Sequence, residues 1–76
     1  MTKKMPTITA TTMIEFLLSH GFEQVRQKGS HKFFKHPDGR TATVPDHKGD
    51  DLGRGITHQI MKDAEMTRED FHLWLH

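Results

Sequence analysis

The sequence predicts an α+β domain: a helix, a three-stranded antiparallel meander and a second helix follow one another, with a short extra helix at the C-terminal end. Three observations carry this. Apolar residues recur at helical spacing before Gly21 and again after Gly53. Between those stretches, Gly29-Ser30 and Pro37-Asp38-Gly39 cut a β-favouring run into three short segments. Both links are short enough that neighbouring strands must run antiparallel. Helices of this number and length pack on one face of such a sheet and leave the other open.

Residues 1–10, with Lys3, Lys4, Pro6 and a Thr-rich run, read as a mobile lead-in with little to bury, ahead of a single domain over 11–76. The first helix is expected to start at Thr11 or Thr12, because Thr12 and Glu15 stand at capping-box spacing. Its apolar stripe is Ile14, Leu17 and Leu18, with Met13 and Phe16 at the margins, and Gly21 after His20 is a natural stop. Strands are expected over 22–28, 31–36 and 40–44. Alternation groups His31, Phe33 and Lys35 on one face and Lys32, Phe34 and His36 on the other, without saying which face the helices cover. Pro45 ends the third strand and 46–55 is a loop rich in Asp and Gly. The second helix runs over about 53–64 with Ile56, Ile60 and Ala64 buried and Met61 beside them. The last begins at Thr67, where Thr67 and Asp70 form a capping box with the shorter acid, and Phe71, Trp74 and Leu75 follow at helical spacing.

A chain of 76 residues is near the lower end of what folds alone, so its core is small. It contains no cysteine, which removes disulfides and thiolate zinc sites from consideration. No apolar run approaches the roughly 20 residues of a membrane span, and residues 1–6 lack the core of a signal peptide, so a soluble, cytoplasmic protein is expected. Net charge is only +1, but the charges are segregated: six Lys or Arg face two Glu before Pro37, and five face eight acids from there on. A basic sheet face backed by an acidic helical end follows.

The chemistry concentrates in the stretch 26–44. Arg26, Lys28, Lys32 and Lys35 follow one another with no acid between them, Phe33 and Phe34 interleave aromatic surface, and His31 stands directly after Ser30. Basic side chains neutralise phosphates while aromatic faces stack on unpaired bases, which makes RNA the first ligand to consider. Histidine exchanges protons near neutral pH, so His31 is a candidate general base or acid at a scissile phosphate, and Lys28, Lys32 and Lys35 are candidate phosphate clamps. Only cations on the His31 side help, which favours Lys35 over Lys32. Phe33 is a candidate base platform if it shares an open face with His31, in which case Phe34 is core. Ser30 is a candidate phosphate contact; as a nucleophile it lacks any legible triad. His47 is a candidate second proton-transfer group, His36 is expected in solvent, and His20 and His58 on helix surfaces. Among seven histidines, His72 and His76 stand four apart without a third ligand, so no metal site is expected. No GxGxxG or GKS/T loop occurs, so no nucleotide cofactor is expected either. On the residues alone, His31 also reads as a strand-start histidine tied to backbone, and the hairpin as a non-catalytic RNA-binding module or a partner-docking face.

Gly29-Ser30-His31, Pro37-Asp38-Gly39-Arg40 and Val44-Pro45-x-His47, in this order and spacing, resemble the HicA family, small toxin ribonucleases of bacterial toxin–antitoxin pairs. The resemblance covers roughly residues 11–71. It implies a fold like double-stranded-RNA-binding domains, cleavage of single-stranded mRNA that shuts down translation and growth, and a HicB-like antitoxin that covers the active site. By the motif, the catalytic histidine is His31. Two departures concern packing: Ile56-Thr57 stands where similar sequences have Thr-Leu, and Glu65 replaces a helix-stopping Gly.

Overall fold

The computed structural model describes residues 8–47 and 51–75. Its elements run α1 (Ala10–Ser19), β1 (Glu23–Lys28), β2 (His31–Lys35), β3 (Thr41–Pro45), α2 (Arg54–Asp63) and α3 (Arg68–Leu75), and the strands form one antiparallel sheet in the order β1-β2-β3. This is the expected α+β order with its extra C-terminal helix, a double-stranded-RNA-binding-type fold.

The start of α1 differs from the expectation. Thr9, not Thr12, is the N-cap, and its hydroxyl accepts from the Thr12 amide at 3.2 Å. Several nearby threonines offer the same cap chemistry, and burial decides among them. With Thr9 as cap, the residue before it, Ile8, and the fourth helical residue, Met13, take hydrophobic-staple positions, and both are buried. Ile8, Thr9 and Ala10, which the sequence reading puts in the lead-in, therefore belong to the folded unit, and the Leu52 amide donates to the Ile8 carbonyl at 2.9 Å. The buried stripe is turned as well: Ala10, Met13, Phe16 and Leu17 face inward while Leu18 is 50% exposed. The aromatic contacts of Phe16 with Phe71 at 5.0 Å and Trp74 at 5.4 Å give the reason, since α3 covers the Phe16 side.

Gly21 ends α1 with φ +93°, and a Cβ there would lie 2.9 Å from the His36 imidazole. Both the backbone and the close approach require glycine. At the β2–β3 turn the His36 amide donates to the Arg40 carbonyl at 2.8 Å and the Gly39 amide to the His36 carbonyl at 2.9 Å, as the Pro37-Asp38-Gly39 signature demands.

Phe34, Ala42 and Val44 are buried beneath the helices, which settles the side of the sheet that alternation left open. A bulge at Val25 shifts the phase of β1 between Gln24 and Arg26, so that Glu23 and Lys35 are opposite one another while Arg26 meets Phe33. The whole of β1 is exposed and forms a sheet edge. In α2 the inward residues are Thr57, Ile60 and Met61, followed by Ala64. Ile56, expected in the core, is 45% exposed, and Thr57 takes its place at 2%. In α3, Phe71 is buried and Trp74 half-buried, but Leu75 is largely exposed. The Thr67–Asp70 box forms as read: the Asp70 amide donates to the Thr67 hydroxyl at 3.0 Å and the Thr67 amide to the Asp70 carboxylate at 2.8 Å.

Candidate nucleic-acid interface

The uncovered face of the sheet is built in rows by strand register. Lys28, His31 and Pro45 are partners across the three strands, then Arg26, Phe33 and Thr43, then Glu23, Lys35 and Thr41. Partners across a ladder project to the same side, so three of the four cations of the hairpin share the His31 face. Arg26, Lys28, His31 and Lys35 are exposed there, and Phe33 is half-buried.

His47 joins this face from beyond β3, its ring 6.4 Å from that of His31 and nearly perpendicular to it at 80°. Extending the β2–β3 ladder one step past His31 and Pro45 sets Ser30 opposite Asp46, and the Asp46 amide donates to the Ser30 carbonyl at 2.6 Å. Lys32 lies 2.7 Å from the Asp46 carboxylate. That ion pair occupies the one hairpin cation that alternation sends to the opposite side. The segment carrying His47 is thus strapped to the turn and strand that carry His31. Asp46 had a signal in the sequence, the register implied by the turn, which residue types alone do not convey.

Arg26 and Phe33 form a second unit, with the guanidinium carbon 4.7 Å from the ring centroid and over the ring. Ser30 is half-buried, its carbonyl engaged by Asp46. His36, expected in solvent, is instead half-buried on the helix side, 5.1 Å from Phe22. Its Nδ1 lies 3.1 Å from the Asp38 amide and 2.9 Å from the Asp38 carboxylate. One nitrogen does one at a time: unprotonated it accepts from the amide, protonated it donates to the carboxylate. His20 also does more than decorate its helix, with its ring 4.5 Å from Phe16 and Nδ1 2.9 Å from the Phe16 carbonyl. His58 is exposed and His76 lies outside the described residues.

Arg40 anchors the turn to the helices. It donates to Asp38 at 2.8 Å and to the Ala64 carbonyl at the end of α2 at 2.9 Å, and lies over Phe22 at 5.3 Å. The Arg40 backbone amide, with help from its side chain, holds the Asp38 carboxyl below its ordinary value. Glu65, one residue beyond, has φ +56°.

A cavity of about 300 Å³ lies on the helical side, lined by His58, Met61, Lys62, Met66, Thr67 and Arg68. Its charged rim is basic, so the helical end is not the uniformly acidic surface that the charge segregation suggests. Among the described residues no three His, Asp or Glu side chains come together as metal ligands.

These features define a class: small α+β domains of double-stranded-RNA-binding type that keep one sheet face bare and basic. The family model for the HicA toxin of bacterial toxin–antitoxin systems matches residues 10–66 of the 76, and the chain belongs to that family. It is accordingly a toxin, and its system implies an antitoxin partner. No curated protein matches the chain. No helix among the described residues is long and apolar enough to cross a membrane.

Proposed function

We propose that this toxin is an endoribonuclease that cleaves single-stranded mRNA on the open face of its sheet, and that its HicB-like antitoxin acts by covering that face. The observation that supports this best is the exposed pair His31 and His47, rings 6.4 Å apart, with His31 in register with Lys28. Cleavage of RNA without a metal needs a base to take the proton of the 2′-hydroxyl and an acid to protonate the leaving 5′-oxygen. The 2′-oxygen then bonds to phosphorus, the P–O5′ bond breaks, and a 2′,3′-cyclic phosphate and a 5′-hydroxyl result. Two neighbouring imidazoles supply both proton transfers, with His31 central and His47 its partner. Lys28 and Lys35 stabilise the charge that develops on the phosphoryl oxygens, and Arg26, Phe33 and Ser30 hold the strand. Lys32, turned to the other side and paired with Asp46, drops out of this set.

The test is incubation of the purified protein with a mixed-sequence single-stranded RNA, with and without EDTA, beside His31→Ala. Cleavage that survives EDTA, leaves cyclic phosphate ends and falls by about 10²–10⁴-fold in His31→Ala is expected. RNA that is bound but left whole would instead make the protein a non-catalytic binding module.

A further inference from the structure

Phe33 is the residue a sequence reader assigns to base stacking, but its ring already has a guanidinium over it. Arg26 is exposed whereas Phe33 is half-buried beneath it. The part of this pair most open to solvent is therefore the Arg26 guanidinium, with Phe33 as its support. Arginine suits this, being planar, weakly hydrated and able to stack on a π-face while remaining charged.

The row that holds Arg26 and Phe33 lies between the Lys28–His31 row and the Lys35 row. Successive same-face residues on a strand are about 6.6–6.8 Å apart, twice the rise per residue. That repeat is close to the backbone repeat of an extended single strand. A strand laid along β2 with its scissile phosphate at His31 sets its next phosphate level with the Arg26–Phe33 row and the one after that near Lys35, so the nucleotide beside the cleavage point lies against Arg26.

Resting on the ribonuclease reading above, we infer that the Arg26 guanidinium, backed by Phe33, is a stacking subsite for the nucleobase beside the scissile phosphate. It accepts any base by its π-face and favours purines, which present more of it. The third member of the row, Thr43, is half-buried.

Binding is measured by fluorescence anisotropy with two probes, a short oligoadenylate and an abasic ribose-phosphate oligomer of the same length, on His31→Ala protein so that neither is cut. The parent should prefer the oligoadenylate by roughly ten-fold, the range of one base–aromatic stack. Adding Arg26→Lys keeps the charge but removes the plane; it should cost the oligoadenylate roughly ten-fold more affinity than the abasic oligomer, which abolishes that preference. Adding Phe33→Leu keeps an apolar support without a ring and should reduce the preference only in part. A preference that survives Arg26→Lys, or a parent that binds both probes equally, overturns the subsite. A parent that binds neither probe overturns the ribonuclease reading itself.

Discussion

Thr57 and Glu65 each occupy a position that their surroundings would assign to another residue. Thr57 is buried to 2% and its hydroxyl has no hydrogen-bond partner among the described residues. Its neighbour Ile56 exposes an apolar side chain that a polar one would replace at no cost. The resemblance to HicA sequences carrying Thr-Leu at this point makes the same statement, since that order buries the apolar member. Glu65 carries φ +56° at the end of α2, where a Cβ is strained and glycine is not. Thr57→Val should stabilise the protein by about 1 kcal/mol by removing an unsatisfied buried hydroxyl at constant shape. Glu65→Gly should add roughly 0.5–1 kcal/mol by relieving the left-handed strain, less what glycine gains in unfolded entropy. Chemical denaturation of the single and double variants checks both, and the two gains should add if the sites are independent.

At the scale of elements, the strap between Asp46 and the β2 segment is the device that aims one histidine at another. Asp46 bonds the Ser30 carbonyl through its backbone and Lys32 through its carboxylate, so Asp46→Ala keeps the first contact and removes the second, which loosens the segment that carries His47. Asp46→Ala should lower kcat for RNA cleavage by roughly 10- to 100-fold with little change in KM, the signature of misplaced rather than missing chemistry. A mainly structural Asp46 would instead lower thermal stability and leave kcat of the folded fraction intact. The N-terminal box of α3 makes a second prediction, on pH. The Thr67 backbone amide, then its hydroxyl, holds the Asp70 carboxyl below the ordinary value of 3.8. A carboxyl depressed in the folded state contributes stability that is complete above that value and is lost as pH falls through the lower, folded one. Asp38, depressed mainly by the Arg40 backbone amide, acts in the same direction. The urea midpoint should therefore fall as pH drops from about 5 toward 2, and Asp70→Asn should flatten that fall. An unchanged profile in the variant would remove Asp70 from the account.

For the whole molecule, the open face carries Arg26, Lys28 and Lys35, while Lys32 is committed to Asp46. A single strand that engages three cations should show a logarithmic salt slope of about −2, from roughly −0.7 per phosphate neutralised. Lys35→Ala should reduce that slope by about 0.7, and Lys32→Ala should leave it where it was. A Lys32→Ala variant that shifts the slope as much as Lys35→Ala would mean that the strand wraps past the sheet edge. This small count also agrees with the net charge of +1: affinity depends on where the cations sit, since no general basic coat exists.

Element order, the turns at Gly29-Ser30 and Pro37-Asp38-Gly39, the stop at Gly21, and the capping box at Thr67 and Asp70 were all legible in the sequence. Each rests on residues close together in the chain, where backbone chemistry acts locally. What only the tertiary structure decided was rotational and long-range. Leu18 against Phe16, and Ile56 against Thr57, are choices of which way a helix faces, and periodicity tolerates either until α3 and the sheet arrive to cover one side. Thr9 won over Thr12 because Ile8 found a core to enter. His36 left solvent because Phe22 and Gly21 made room beside it. The face shared by His31, Arg26 and His47 depends on a bulge at Val25 and on Asp46 closing a ladder across the hairpin. Those are contacts between strands, and residue types along one strand cannot state what its neighbours bring.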